Sequence, residues 1–382
     1  MSNSFNIKVL NFAKGQELPV FQENRNGKWY DYGLDNLYPQ YLLNVYHNYS
    51  NKHKAIINTK VQMTTGNGIE KSNPEIEEWI KNRWSDYDME ELVVKANYDL
   101  EIYGGFALNI RWNIDGTNIA AIDYLPYQKV RLSTDENKVL VSKDWSNWRR
   151  SECKPEERWK FSPKMAKQHP SQVYYYTLDT VGGEYYPIPY YSSTLPWIEL
   201  DWEVGNFHLS SVRNGFMPGF ILNFSTGIPT LEEMEGAYRE FEKKYTGSEN
   251  AGKFILTFSE GQDQKPELIP INLNDSDERF ILLRDSMRDE IFVGHSVTNP
   301  QLFGIRVAGE LGGKDQLLES LAIFQSTYIS VRQKQLEKCF TKLMNLSGVE
   351  GDLRFNKYQI DFGNIKDSGI KDEQIEETKT ID

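Results

Sequence analysis

Two helix-period stretches bracket residues 218–272, where the apolar spacing changes from helix to strand, back to helix, and to strand again. The first follows Pro196, a favoured first helical residue, and carries Ile198, Val204, Phe207, Leu209 and Val212 over 197–217. The second runs over 275–295 with Phe280, Leu283, Met287 and Ile291 on one stripe. Between them, 218–224 reads as a strand, and Thr230 with Glu233 forms a capping-box signature. The helix it opens places Met234, Ala237, Tyr238, Phe241 and Tyr245 on one face, and strands follow at 254–258 and 268–271. A βαββ unit held between two helices is a compact insert. Two or three short strands are marginal without partners, so this unit is expected to be completed by neighbouring copies of the chain.

Upstream, residues 7–10 and 18–21 are short extended pieces, followed by a turn at Asn26-Gly27. Two helical segments are expected between 41 and 63 with a break near 48–51, a third after Pro74, and a fourth over 89–103. Past Gly104-Gly105 the pattern turns to strands at 106–112, 119–125 and 129–132, then again at 173–178. A helical layer on a small antiparallel sheet is the expected outcome, an α+β fold. Residues 142–172 are dense in charge, carry three tryptophans and the prolines Pro155, Pro163 and Pro170, and show no readable spacing.

The second bracketing helix runs into a loop punctuated by Pro300, Gly309, Gly312 and Gly313. Pro300 pushes Asn299 out of the helical region, and the glycines free the backbone. Gly309-Glu310-Leu311-Gly312-Gly313-Lys314 fails as a phosphate loop, because Ala308 stands where the first glycine belongs and Asp315 where a hydroxyl should hold Mg²⁺. Beyond it, Leu317, Leu321, Phe324, Tyr328, Val331, Leu336, Cys339, Phe340 and Leu343 form the stripe of one long amphipathic helix. Residues 364–382 are polar and acidic, a tail expected to order only against a partner.

The net charge of −12 and pI near 5.1 argue against a broad grip on nucleic acid, which needs clustered Lys and Arg. They suit a conduit, whose acidic wall lets phosphates pass without sticking. No run is long and apolar enough for a membrane helix and the N-terminus lacks a signal-peptide pattern, so folding in a cytoplasm is expected. Cys153 and Cys339 are expected to be free thiols. The five histidines form no metal or catalytic signature, and no metal, cofactor or catalytic residue is expected. Aromatic residues make up 13% of the chain, in runs such as 174–176, 185–186 and 190–191. Packing of a mixed sheet accounts for them; sugar or subunit contacts are the other uses.

Four stretches, in this order and spacing, resemble the portal proteins of tailed bacteriophages: 101–108, 213–222, 245–253 and 295–305. The short, lambdoid-type head-tail connectors are the subfamily most similar to residues 40–345. The chain departs from the family in having Gln301 where a second proline is frequent, and Gly104 or Gly105 where asparagine is. The resemblance implies a non-enzymatic subunit of a ring, usually of twelve copies, at the capsid vertex between capsid and tail. Through that ring double-stranded DNA is packaged and ejected. Partners implied are other copies, the major capsid protein, the terminase large subunit, a head-tail adaptor and non-specifically held DNA, with no membrane. Mapped onto this chain, the wing is 1–195, stem helix 1 is 196–217, the clip is 218–272, and stem helix 2 is 273–295. The tunnel loop is 296–314, the long wing helix 315–346, and a short crown or tail 347–382. The clip would oligomerise through Phe220, Leu222, Phe254 and Leu256. The loop residues facing DNA would be Arg306, Val307, Ala308, Gly309, Glu310, Leu311, Gly312, Gly313 and Lys314. The alternative is a carbohydrate-active enzyme with an aromatic-lined cleft, which needs two carboxylates across that cleft.

Overall fold

Hairpin β1 (Phe21–Glu23) and β2 (Tyr30–Tyr32) closes through Gly27, whose φ of +66° suits a residue without Cβ. The computed structural model describes residues 19, 21–25, 27–81, 87–213, 220–224, 230, 236, 254–258, 267–270, 276–297, 299–304 and 314–358. Helices α1 (Tyr38–Asn48) and α2 (Asn51–Thr65) follow, split where Ser50 leaves helical geometry and caps α2 by accepting from the His53 N–H. Next come α3 (Pro74–Lys81) and α4 (Met89–Tyr103). Asp88 and Glu91 form a reciprocal capping box at the start of α4. Gly104, left-handed at φ +81°, ends it and turns the chain directly into β3 (Gly105–Trp112).

β4 (Ile119–Leu125), β5 (Val130–Leu132), β6 (Lys138–Val141), β7 (Glu156–Lys160) and β8 (Ser171–Thr177) complete a six-stranded sheet in the order β4-β3-β8-β7-β6-β5. All its pairs are antiparallel except β7 with β8, which meet at Trp159↔Gln172 and Lys160↔Val173. β3 is buried on both faces. Ala107 joins a core with α1 and α2, whereas Phe106, Leu108 and Ile110 join a second core with α3 and α4. Each of those three large side chains contributes roughly 1.5–3 kcal/mol by leaving water. The unreadable 142–172 stretch therefore holds β7, two short 3₁₀ turns and the start of β8.

The bracketing helices are α5 (Leu195–Arg213) and α6 (Ser276–Gly294), and they pack on each other. Between them lie β9 (Phe220–Phe224), β10 (Phe254–Phe258) and β11 (Glu267–Pro270). β9 is central, parallel to β10 from Phe220↔Phe254 and antiparallel to β11 through Phe220↔Pro270, so β10 and β11 are both edges. The helix expected between β9 and β10 lies outside the described residues apart from Gly236, which is helical.

The long helix after the loop is not one regular helix. α7 (Lys314–Phe324) passes through a π-helical turn, Gln325–Ile329, into α8 (Ser330–Leu346). The wider turn rotates the buried face relative to the 3.6 period. Val331 consequently stands out in solvent, while Ile329, Arg332 and Gln333 take the inner positions. The tyrosine runs go mainly into the cores: Tyr186 and Tyr191 are fully buried, and Tyr175 stacks on Tyr127. Both cysteines are free thiols, Cys339 buried.

Candidate functional site

The last turn of α6 and the chain leaving it are anchored by a buried polar network on α2, α4 and α8. Lys60 of α2 is wholly inaccessible. Its ammonium donates to the His295 carbonyl at 2.6 Å and to the Tyr190 hydroxyl at 3.1 Å, and lies 3.8 Å over the Tyr328 ring. Burial pulls its pKa down to about 7, against the opposing pull of Glu101. Glu101 of α4, equally buried, accepts from the Tyr328 hydroxyl at 2.5 Å and from Arg332 Nε at 3.1 Å. Gln333 completes the join by donating to the Thr64 carbonyl at 2.9 Å.

His53 Nδ1 and His295 Nε2 share a hydrogen bond of 2.8 Å, and His295 Nδ1 meets the Tyr190 hydroxyl at 3.1 Å. Burial, reinforced by the Lys60 charge, lowers His53 to about 3; burial, with His53 and Lys60 beside it, holds His295 well below its usual range. Both rings are therefore neutral at pH 7, and between them they pass a single proton-bearing nitrogen into the shared bond. Gly294 allows the close approach: a Cβ there would sit 1.5 Å from Thr194 Oγ1.

Past this anchor, Ser296 turns at φ 54°, and Asn299 caps a short 3₁₀ turn, Pro300–Phe303, by accepting from the Gln301 N–H at 2.8 Å. Leu302 and Phe303 are buried, the latter edge-on to Phe324 at 5.4 Å. Gly304, φ +74°, ends the turn. The base of the loop is thus fixed on one side by Leu302 and Phe303 and on the other by α7.

α5 and α6 form a packed helix pair. The start of α5 is tied to the body, where Asp201 accepts from Ser50 Oγ and pairs with Lys52, both at 2.6 Å, and Glu199 accepts from Tyr41. Farther along, Phe207 and Leu209 on α5 and Leu282 on α6 are exposed, Leu282 to 68%.

No family model and no curated protein sequence matches the chain. Among solved structures, a chain from the virion of the native gene transfer agent particle is similar over 84% of both chains, with a TM-score of 0.53 and 12% identity. A chain from the neck of that native particle, computed with C12 symmetry, has a TM-score of 0.53 and 13% identity over 84% of both chains. The chain shares the fold of these particle chains. An HK97 family phage portal protein from Corynebacterium diphtheriae aligns over 79% of this chain and 92% of its own, with a TM-score of 0.45 and 10% identity.

Of the residues expected to face DNA, Arg306 to Gly313 lie outside the described residues, and Lys314 is the first residue of α7. Phe220 and Leu222 are on the central β9, Phe254 and Leu256 on the edge strand β10, with Phe220 opposite Phe254 and Leu222 opposite Leu256. The structure therefore joins these four within one sheet. Sequence reasoning missed the His53–Lys60–Glu101–His295–Arg332 network, whose members come together from four places in the chain, His53 and Lys60 both lying on α2. Its one sequence signal was the polar residues standing on otherwise apolar helical faces.

The groove between α2 and α4, about 840 Å³, contains Tyr87, Tyr98, Glu90 and Glu91. Glu91 is occupied in the α4 cap, and Glu90 Oε1 accepts from the Ile69 N–H at 3.3 Å. Both acids serve the backbone on one side of the groove and do not face each other as a glycosidic pair. Among the described residues no group of three His, Cys, Asp or Glu is placed to hold a metal, and no helix is long and apolar enough to cross a membrane.

Proposed function

We propose that this chain is a portal-type subunit: copies assemble into a ring, α5 and α6 line up as its stem, the β9–β11 sheet forms its clip, and residues 306–314 face the channel. The observation that carries this reading is the pair α5–α6, tied to the body at one end, bearing exposed apolar side chains, and leading to a sheet whose outer strands β10 and β11 pair with no further strand among the described residues. The fold shared with a chain of a neck computed with C12 symmetry supports a ring of twelve. A rotational ring needs one face of a subunit to meet a different face of its neighbour, and open strand edges with exposed apolar helices supply such faces.

In this reading, the ring stands at the particle vertex between capsid and tail, passes double-stranded DNA inward during packaging and outward during ejection, and meets the capsid protein, terminase and an adaptor. Its role is mechanical and it takes no cofactor. Assignment to the short lambdoid-type subfamily rests on the sequence resemblance alone. The anchored base at His295–Gly304 gives the loop a rigid support, and its three glycines give it reach. Deleting 307–313 is expected to leave ring assembly intact and to reduce packaged or retained DNA in filled heads. Heads that fill and hold DNA as well as the parent's would make the loop a passive connection.

A further inference from the structure

A charged concavity lies along the exposed face of α8. Residues Asp352–Lys357 double back along α8, held by the Leu353 N–H on Thr341 Oγ1 at 2.9 Å, the Phe355 N–H on Glu337 Oε1 at 2.9 Å, and an isolated bridge between Phe355 and Ile69. Between this segment and the helix is a groove of about 1130 Å³. Lys334, Lys338 and Lys342 line it, one helical turn apart and hence about 6 Å from one to the next. Arg354 and Lys357 border the same groove. All five cations are exposed, and none of the three lysines forms an ion pair with a described residue. The acids present are engaged or outnumbered: Glu337 holds the Phe355 N–H, Asp352 is 3.8 Å from Arg354, and Glu70 stands at one edge. Such a concentration of positive charge is unusual on a chain with a net charge of −12.

We propose that this groove is the docking site for the acidic C-terminal segment of the same chain, residues 359–382. That segment carries seven Asp and Glu against three Lys, with Ile360, Phe362, Ile365, Ile370 and Ile375 spaced among them. It begins two residues after Lys357, itself part of the groove wall. The groove runs from Ser330 to Leu346, about 24 Å along the helix, and a segment this long spans about 80 Å when extended. Tethering places the tail near the groove at an effective concentration on the millimolar scale, so weak contacts suffice. Leu346, partly exposed beside the charges, offers an apolar contact to a peptide that mixes acids with apolar side chains, while Leu353 and Phe355 are buried in the core. A nucleic-acid backbone offers no apolar side chains, and Glu70, Glu337 and Asp352 oppose its phosphates.

Zero-length carbodiimide cross-linking of the full chain, read by mass spectrometry, tests this. At low salt, amides are expected between Lys334, Lys338 or Lys342 and tail acids, with yield falling at least about fivefold in 1 M salt, where the screening length drops to about 3 Å. The triple variant Lys334→Gln, Lys338→Gln, Lys342→Gln should abolish these links and lower the anisotropy of a dye at the C-terminus while leaving the thermal midpoint unchanged. A tail dye equally constrained in parent and variant overturns the proposal. So does a mixture of isotopically distinct copies whose links run only between copies, or a duplex DNA that shields the lysines while the tail stays uncoupled.

Discussion

Glu101 receives Tyr328 and Arg332 in a place with no access to water, so removing its carboxylate leaves a guanidinium with its main counter-charge gone. Glu101→Ala is expected to cost about 3–5 kcal/mol in urea unfolding, and Glu101→Leu combined with Arg332→Met to recover most of it. Equal losses in the single and double variants would mean that packing rather than charge pairing is at stake. Asp99 offers a separate test through pH. Burial raises its pKa from 3.8 to about 8, partly offset by hydrogen bonds from the Tyr124 hydroxyl and the Tyr127 N–H. The folded state therefore keeps a proton that the unfolded state has lost, and this residue's contribution to stability falls as pH rises between those two values. Relative to the parent, Asp99→Asn should gain thermal midpoint steadily from about pH 4 to about pH 8; a constant difference across that range would contradict the buried, protonated carboxyl. His53 acts in the opposite direction. Its pKa is lowered from 6.5 to about 3, so its contribution is lost as pH falls through that window.

At the scale of elements, the central question is whether β10 is an edge between subunits. Phe254 and Leu256 are alternate residues of that strand. Replacing both with Asp is expected to prevent ring closure while circular dichroism stays close to the parent's, because charge would be buried only on assembly. Rings of normal size from the double variant, seen by gel filtration and microscopy, would remove β10 from the interface. Many elements were legible in the sequence because local chemistry specifies them. The Asp88/Glu91 box and Gly104 delimit α4, and the 119–125 apolar run is β4 as expected. β7 was not legible, since Glu156-Glu157-Arg158-Trp159-Lys160 has the composition of a loop and is a strand only through pairing with β6 and β8. The π turn was hidden for a similar reason. It shows only as a mismatch between the stripe and the burial of Val331 and Arg332. The buried network joins His53 to His295 across 242 residues, a separation at which no sequence period carries information.

For the whole molecule, the order of elements resembles that of portal proteins, and the fold is shared with chains of the gene transfer agent particle. The α+β body was anticipated, but the six-stranded sheet is larger than the small sheet expected from the readable strands. The tyrosine-rich runs that might have served subunit contacts are largely spent on the cores. The most direct test of the ring is negative-stain imaging of the purified full chain together with its solution mass. The account predicts closed rings with a central channel and a mass near twelve subunits; compact monomers at every concentration would contradict it.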